Sequence, residues 1–475
     1  MQNFLRTKII ATLGPSTSTR KKIRELLCAG AGAFRLNTSH GEPAWHAEKI
    51  QDIRAVAEEL SLHIPIILDL QGPKIRVGNL LQPIDLQDGD KVVLKHAMTQ
   101  EEPNCIPIDY SGIVSDLKPG NNLLLDDGKI QMKITSVLSD RLEAVVTDGG
   151  LLTSRKGVNI PDAKLNIPSL SQKDINYIKF AVENNVDWIA LSFVRTKDDL
   201  LQAKEYIKQA GGDIPIIAKI EKPIALDNIE EIMDNSEGIM VARGDLGIEI
   251  SPQRVPVVQK HLIKRANTHK KVVITATQML ESMINEPIPT RAEASDVANA
   301  IFDGTDAVML SGETAAGKFP IDAVKIMRSI AEEVECSEIY KFNVYETEKV
   351  ANINADSQAI TDAAMKISDT LEISAIVAFT RTGFTAELLS KGKPSAPVIA
   401  ISNSAEVCRK LGLLWGIEPF FMDFDFGFTE EFLQKTDEFL VRNTFLKNGD
   451  KILITGVMLD PDNGTTNFIR LHDIR

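Results

Sequence analysis

The chain has 475 residues, 43% of them hydrophobic and 25% charged, with a formal net charge of −13. That length exceeds one compact domain, and that composition is of an ordinary globular kind able to bury several cores. The acidic balance argues against a nucleic-acid footprint and against an anionic membrane surface, so an acidic substrate would need its cations gathered locally. Four cysteines, Cys28, Cys105, Cys336 and Cys408, lie far apart without C-x-x-C spacing. This is the pattern of reduced thiols in a cytoplasmic protein, not of a disulfide frame or a zinc site. Met1 to Pro15 carries no long apolar stretch and no small-residue cleavage site, so neither a signal peptide nor a membrane span is expected.

From Lys8 onward, short apolar runs alternate with amphipathic helical patterns. The predicted strands are Lys8–Leu13, Ala33–Asn37, Pro65–Leu70, Trp188–Phe193, Pro215–Ile220, Gly238–Ala242, Val272–Thr277 and Ala307–Leu310. Runs that are apolar at nearly every position suit parallel strands buried on both faces. Between them Ile23, Leu26 and Leu27, then Ile50, Ile53, Ala57 and Leu60, recur at helical spacing. Ser171-x-x-Asp174 and Thr196-x-x-Asp199 are helix-start signals. Eight such units predict an α/β protein built on a (β/α)₈ barrel, although the pattern alone also permits an open doubly wound sheet.

The gap between the third and fourth strands is too long for one crossover helix. Inside it, alternating runs at Lys91–Leu94, Gln131–Val137 and Arg141–Val146 are punctuated by Asp88-Gly89, Pro119-Gly120, Asp127-Gly128 and Asp148-Gly149. A small all-β domain over 73–165 is expected, inserted where it can act as a lid over the barrel's C-terminal face. The barrel then comprises 1–72 and 166–339. From about Tyr340 a further α/β domain (340–475) is predicted, with strands at Ile373–Phe379, Pro397–Ile401, Lys451–Thr455 and Asn467–Asp473.

Catalytic candidates in such a barrel sit at the C-terminal ends of strands, and residues i and i+2 share a side. Arg35, Asn37 and Ser39 face one way at the end of strand two, and Asp69 closes strand three. Lys219 and Glu221 end strand five, Gly244 and Asp245 follow strand six, Thr277 ends strand seven, and Ser311 and Glu313 follow strand eight. Glu221 and Asp245, on neighbouring strands, are the oxygen donors a hard cation such as Mg²⁺ prefers. Lys219 and Arg35 would balance a transferring phosphoryl group, and Gly244 lets backbone N–H groups approach an anion. Any one of these charges could serve equally as a structural ion pair. Charges on six strand ends without a ligand are a poorer explanation.

Thr7–Ser16, Arg35-Leu-Asn-Thr-Ser-His-Gly41, Leu68–Arg76, Lys156–Pro161, Ala218-Lys-Ile-Glu221, Ala242-Arg-Gly-Asp-Leu-Gly247, Ala276–Met283, Pro289–Asn299 and Met309–Ala315 resemble, in order, the motifs of the pyruvate kinase family. The resemblance implies Mg²⁺-dependent (or Mn²⁺-dependent) phosphoryl transfer from phosphoenolpyruvate to ADP, in a cytoplasmic homotetramer that binds neither nucleic acid nor membrane. It implies Glu221 and Asp245 as metal ligands, with Lys219 and Arg35 on the phosphoryl group. Gly244, Asp245 and Thr277 would hold the substrate carboxylate, and Thr277, Ser311 and Glu313 would organise protonation of the enolate. His40, Arg76, Lys173 and Asp126 or Asp127 match positions near the nucleotide phosphates; for His40 alone a structural role is as good a reading.

Asn37, Ser39, Asp69 and Leu70 match the family's K⁺ site. Many members carry glutamate after the Gly-Pro pair, whereas this chain has Lys74, the residue of the K⁺-independent branch. A tethered ammonium can supply the charge of a bound K⁺, so K⁺ is expected to be dispensable. Two further departures, Lys222 after Glu221 and Asp162 after Pro161, touch local detail. Thr380, Arg381, Thr382, Gly383 and Thr385 open a helix, and Gly464 and Thr465 lie in a second loop. Both resemble the family's sugar-phosphate or nucleotide effector site, though ordinary Gly- and Thr-rich turns would read the same way. No phosphotransferase-like extension is expected beyond Arg475. A metal-dependent lyase on a related barrel would share the carboxylates but not need the lid. A catalytically silent sensor would not need Lys219.

Overall fold

The computed structural model describes residues 5–161, 163, 165–340, 354–424, 429–457 and 465–475. Eight parallel strands close into a barrel in sequence order: β1 (Lys8–Thr12), β2 (Ala33–Asn37), β3 (Ile66–Asp69), β4 (Trp188–Leu191), β5 (Ile216–Ile220), β6 (Gly238–Ala242), β7 (Val272–Ala276) and β8 (Ala307–Leu310), with β1 pairing β8. The open-sheet alternative is therefore excluded. The runs look uniformly apolar because both faces are buried, yet the period of two survives inside. Ile9, Ala11, Phe34, Leu36, Ile66, Leu68, Ala218 and Ile220 pack outward against the helices. Ile10, Ala33, Ile67, Ile217, Met240 and Ile274 point into the barrel. The next inward position after Ile67 is Asp69, and after Ile217 it is Lys219. The alternation that fills the barrel thus delivers charged groups to its C-terminal mouth.

The helix signals hold locally. Ser171 and Asp174 form a reciprocal capping box ahead of the helix Gln172–Glu183, and Thr196 and Asp199 form one ahead of Lys197–Gln209. Between β3 and β4 lies a six-stranded sheet in the order Val158–Asn159, Asn122–Leu125, Ile130–Val137, Leu142–Asp148, Lys91–His96 and Cys105–Ile108. A two-stranded sheet pairs Ile84–Leu86 with Gly150–Leu152. Together they enclose a separate core that includes Leu94, Ile106, Leu123, Met132 and Leu142.

The C-terminal sheet runs β11 (Ile417–Phe421), β10 (Val398–Ser402), β9 (Ala375–Phe379), β12 (Lys451–Gly456), β13 (Phe468–Asp473), parallel except for the last pair. β11 is absent from the sequence expectation because Glu418 and Pro419 interrupt its apolar run; an edge strand tolerates both. Leu389, Leu411, Leu413 and Leu414 of this unit belong to the same buried cluster as Trp188, Ile217 and Val272, so the C-terminal unit seals the barrel's N-terminal floor.

Candidate active site

Inward-facing residues at the ends of four strands converge at the mouth. The Lys219 ammonium lies 2.8 Å from Glu221 Oε1 and 3.2 Å from Asp69 Oδ1, and donates to Ser192 Oγ at 2.6 Å. The Arg35 guanidinium donates from Nε to Asp69 Oδ2 at 2.7 Å and from a terminal nitrogen to Thr12 Oγ1 at 3.2 Å. Asp69 and Glu221 are each 1% exposed. Burial works against the charge on Lys219, but Asp69 and then Glu221 outweigh it and hold its pKa well above the ordinary lysine value. Burial likewise works against ionised Asp69, and Lys219 followed by Arg35 more than offsets it, so that carboxyl titrates below its usual range. The Lys219 ammonium is thereby locked in its charged form.

Glu221 behaves differently. Burial pushes its carboxyl up, the Lys219 charge opposes this, and the neighbouring Asp245 charge adds to it. It also accepts the Phe193 N–H at 2.8 Å. Two close carboxylates, one of them reluctant to ionise alone, fit a hard divalent cation that would neutralise both. No group of three or more His, Cys, Asp or Glu side chains is arranged to hold a metal among the described residues, so the rest of such a shell would come from water and substrate oxygens.

Thr277 carries φ +66° and Gln278 φ +53°, a conformation a β-branched residue adopts only when its surroundings compel it. Arg243 supplies the constraint. Its buried guanidinium donates to the carbonyls of Thr277 and Gln278 at 2.8 and 3.0 Å and pairs with Asp296 at 2.7 Å. In return the Gly244 N–H, at the start of the helix Arg243–Ile250, donates to Thr277 Oγ1 at 2.8 Å. The β6 and β7 loops therefore present one shared patch of N–H and hydroxyl groups. Beyond β8, Glu313 accepts the N–H groups of Leu280 (3.0 Å) and Ser311 (2.7 Å), which fixes both loops, while Ser311 Oγ is buried with no hydrogen-bond partner among the described residues.

At three of the four positions matched to the family's K⁺ site, an oxygen is already engaged. Asp69 is held by Arg35 and Lys219, Leu70 O accepts Ser192 Oγ at 2.7 Å, and Asn37 Oδ1 accepts the Ser39 N–H at 3.1 Å. Lys74 makes no ion pair among the described residues. Its ammonium lies beside Gly157 of the insertion, where Asp127 also approaches.

The four nucleotide candidates each have their own surroundings. The His40 side chain is exposed, Lys173 donates to Gln71 Oε1 at 2.9 Å, Arg76 donates to the Arg155 carbonyl at 3.0 Å, and Asp127 sits at the turn before Gly128 with φ +56°. Asp126 instead pairs with Lys156 at 2.8 Å. A cleft of about 1250 Å³ opens between the insertion, at Asp127 and Gly128, and the barrel, at Gly244, Ile248 and Gln278.

In the C-terminal unit, Thr380 Oγ1 accepts the Gly383 N–H at 2.9 Å, Gly383 adopts φ +98°, and the helix Phe384–Gly392 follows. Thr385 Oγ1 shares a 2.7 Å hydrogen bond with Thr466, and Thr465 Oγ1 accepts from Asn354 at 3.3 Å, so the two loops meet. Thr382 Oγ1 accepts the Phe384 N–H at 3.4 Å, and Arg381 is exposed. Gly464 lies outside the described residues, as does Asp162.

The sequence reading passed over Ser192 and Arg243 as functional groups. Ser192 links Lys219 to Leu70, and its one signal was its place at the end of a predicted barrel strand.

Residues 4–324 match the family model "Pyruvate kinase, barrel domain" and residues 358–472 match "Pyruvate kinase, alpha/beta domain". The chain is 42% identical to "Pyruvate kinase 2" of Synechocystis sp. over 99% of its own length and 79% of that protein. It is 41% identical to a pyruvate kinase of Sporosarcina psychrophila (99% and 80%) and 40% identical to one of Staphylococcus aureus (98% and 80%). Both family models and these near-full-length likenesses agree with the geometry at the barrel mouth: the chain belongs to the pyruvate kinase family of phosphotransferases.

Proposed function

We propose that the chain transfers the phosphoryl group of phosphoenolpyruvate to ADP at the mouth of the barrel, with Lys219 as the central catalytic cation. The observation that carries this reading is an ammonium held permanently charged between two buried carboxylates and beside a guanidinium. In phosphoryl transfer the protein's work is positioning and charge stabilisation of the equatorial oxygens. Lys219 and Arg35 approach that group from two strands, so its negative charge meets cations that need no reorganisation. The N–H groups of Gly244 and Asp245, in the first turn of a helix, and the Thr277 hydroxyl would take the substrate carboxylate. A carboxylate there replaces the Thr277 hydroxyl as acceptor for Gly244.

Pyruvate kinases generally use Mg²⁺; bound by Glu221 and Asp245 it would supply positive charge to the phosphoryl oxygens. Once the phosphoryl group has left, a proton must reach the enolate carbon. Thr277 and the unpartnered Ser311 hydroxyl would hold the water that delivers it, with Glu313 positioning the loops that carry both. His40, Arg76, Lys173 and Asp127 are assigned to the nucleotide phosphates, brought together as residues 73–165 close as a lid over the barrel of 1–72 and 166–339.

K⁺ is not required in this reading, because oxygens of Asn37, Asp69 and Leu70 are engaged internally and Lys74 brings a tethered charge to the hinge. The meeting of the Thr380–Thr385 and Thr465 loops in the unit 340–475 supports a phosphorylated effector there. A cytoplasmic homotetramer is the assembly proposed. The test is initial rates with phosphoenolpyruvate, ADP and Mg²⁺, coupled to lactate dehydrogenase, with and without K⁺. Equal rates are expected. Pyruvate formed only with K⁺ overturns the Lys74 assignment, and no pyruvate under either condition overturns the reaction.

A further inference from the structure

At the opposite end of the barrel, a second cavity of about 690 Å³ lies between the floor and the C-terminal unit. That volume is in the range of small-molecule sites. The barrel contributes the segments leading into β4, β5, β6 and β7, and the C-terminal unit contributes the helices Phe384–Gly392 and Ala405–Leu411. Its wall holds six lysines against three carboxylates.

Three of those lysines are already neutralised. Lys204 pairs with Glu237 at 2.7 Å, Lys410 with Glu406 at 2.8 Å, and Lys391 with the buried Asp306. The other three, Lys208, Lys270 and Lys271, make no ion pair among the described residues. Lys270 Nζ is shut off from water and has no hydrogen-bond partner among the described residues; the field of Asp362 reaches it without forming a pair. An ammonium in such a place is expensive unless something opposite in charge joins it. Burial lowers the pKa of Lys270 and of Lys271 and outweighs the opposing charges of Asp362 at Lys270 and of Glu237, Asp234 and Glu387 at Lys271.

Of the remaining acids, Asp213 stands at the rim. Glu387 keeps access to water inside the cavity while protein surrounds it, and burial, opposed next by Lys271, pushes its carboxyl up. Thr382 also lines this cavity, whereas Thr385 on the same loop turns away to Thr466. The cavity is thus separate from the junction of the two effector-type loops, though it shares a wall with it.

We propose that this cavity binds a small polyanion, a phosphate ester or a polycarboxylate, with Lys270 and Lys271 as its principal cations. Such a ligand would touch the barrel and the C-terminal unit together. The site is independent of the chemistry assigned to the mouth.

Calorimetric titration of the full chain with inorganic phosphate in one arm and citrate in the other tests it, comparing the unaltered protein with Lys270→Gln/Lys271→Gln. At least one probe should bind, and its Kd should weaken by about tenfold or more in the double variant while basal turnover stays unchanged. The arm that binds names the source of the charge. Binding of neither probe, or the same Kd in both proteins, overturns the proposal. Should the double variant fail to fold, Lys208→Gln at the exposed rim replaces it. A weakening of about threefold supports the site, and an unchanged Kd again overturns it.

Discussion

The two ends of the barrel bury the same kinds of side chain and use them for opposite purposes. At the floor, carboxylates just ahead of even-numbered strands cap the starts of odd-numbered ones. Asp187 accepts the Ile66 N–H at 2.8 Å, Glu237 accepts the Ile216 N–H at 2.8 Å, and Asp306 accepts the Val273 N–H at 2.7 Å. Glu335 does the same for Arg6 and Thr7, at 3.0 and 2.7 Å. Each also takes, or lies close to, a basic side chain, as Asp187 takes Arg54 and Arg409 at 2.7 Å each. These acids close the barrel. At the mouth, by contrast, Asp69 and Glu221 share the Lys219 ammonium, and Asp69 also holds Arg35. A buried ion pair is therefore no sign of function by itself, since Glu221 at the mouth also accepts a backbone N–H, from Phe193.

The strongest way to break this comparison is Lys219→Met. If the mouth is chemistry, kcat falls by about 10³-fold or more, as expected when the main charge-stabilising group is removed, while the far-ultraviolet spectrum stays that of a folded protein. An active variant would reduce the mouth to the status of the floor. The converse is Asp187→Ala. It strands the Ile66 N–H and two guanidinium groups, and should cost about 3–5 kcal/mol in denaturant unfolding with kcat per folded molecule unchanged.

The same contrast shows what the sequence could reveal. Barrel strands were legible because β-branched residues fill runs buried on both faces, and Lys219 and Glu221 were legible as strand-end charges by the period of two. Their separate roles came from resemblance to a family, since spacing alone cannot tell a clamp from a catalyst. The floor acids went unremarked, although Asp187, Glu237 and Asp306 each stand immediately before a strand; their partners lie on neighbouring strands, and register is not written in the pattern. Ser192 was hidden for the same reason. The strands Ile84–Leu86 and Val158–Asn159 were too short to show an alternation.

Glu221→Gln sharpens the comparison at one residue. The Mg²⁺ concentration for half-maximal rate should rise about tenfold or more, and direct titration with Mn²⁺ followed by electron paramagnetic resonance should show the same loss without relying on turnover. A pH dependence accompanies this. Because burial raises the Glu221 carboxyl, its ionised form in the folded protein becomes available only above the ordinary glutamate range. Metal affinity in the unaltered protein should therefore improve as pH rises through that raised value, with protons released on binding, and Glu221→Gln should flatten the trend. Unchanged Mn²⁺ affinity would return Glu221 to the floor's kind of acid.

The smallest expected effect concerns the hinge. Lys74 lies beside Gly157 and Asp127 without an ion pair among the described residues, while the oxygens of Asn37, Asp69 and Leu70 are engaged from within. If the tethered ammonium replaces a bound cation, Lys74→Glu should lower the K⁺-free rate by about tenfold, the cost of one misplaced charge near a reacting phosphate. Added K⁺ should restore most of that rate, because the new carboxylate supplies the anionic partner a soluble cation needs. Na⁺ at the same ionic strength separates specific replacement from simple screening, since screening acts on both salts alike. Rescue by K⁺ alone would place Lys74 with the mouth, as a charge kept for the substrate. Equal rescue by both, or no loss at all, would make it a solvent-facing lysine at a domain junction.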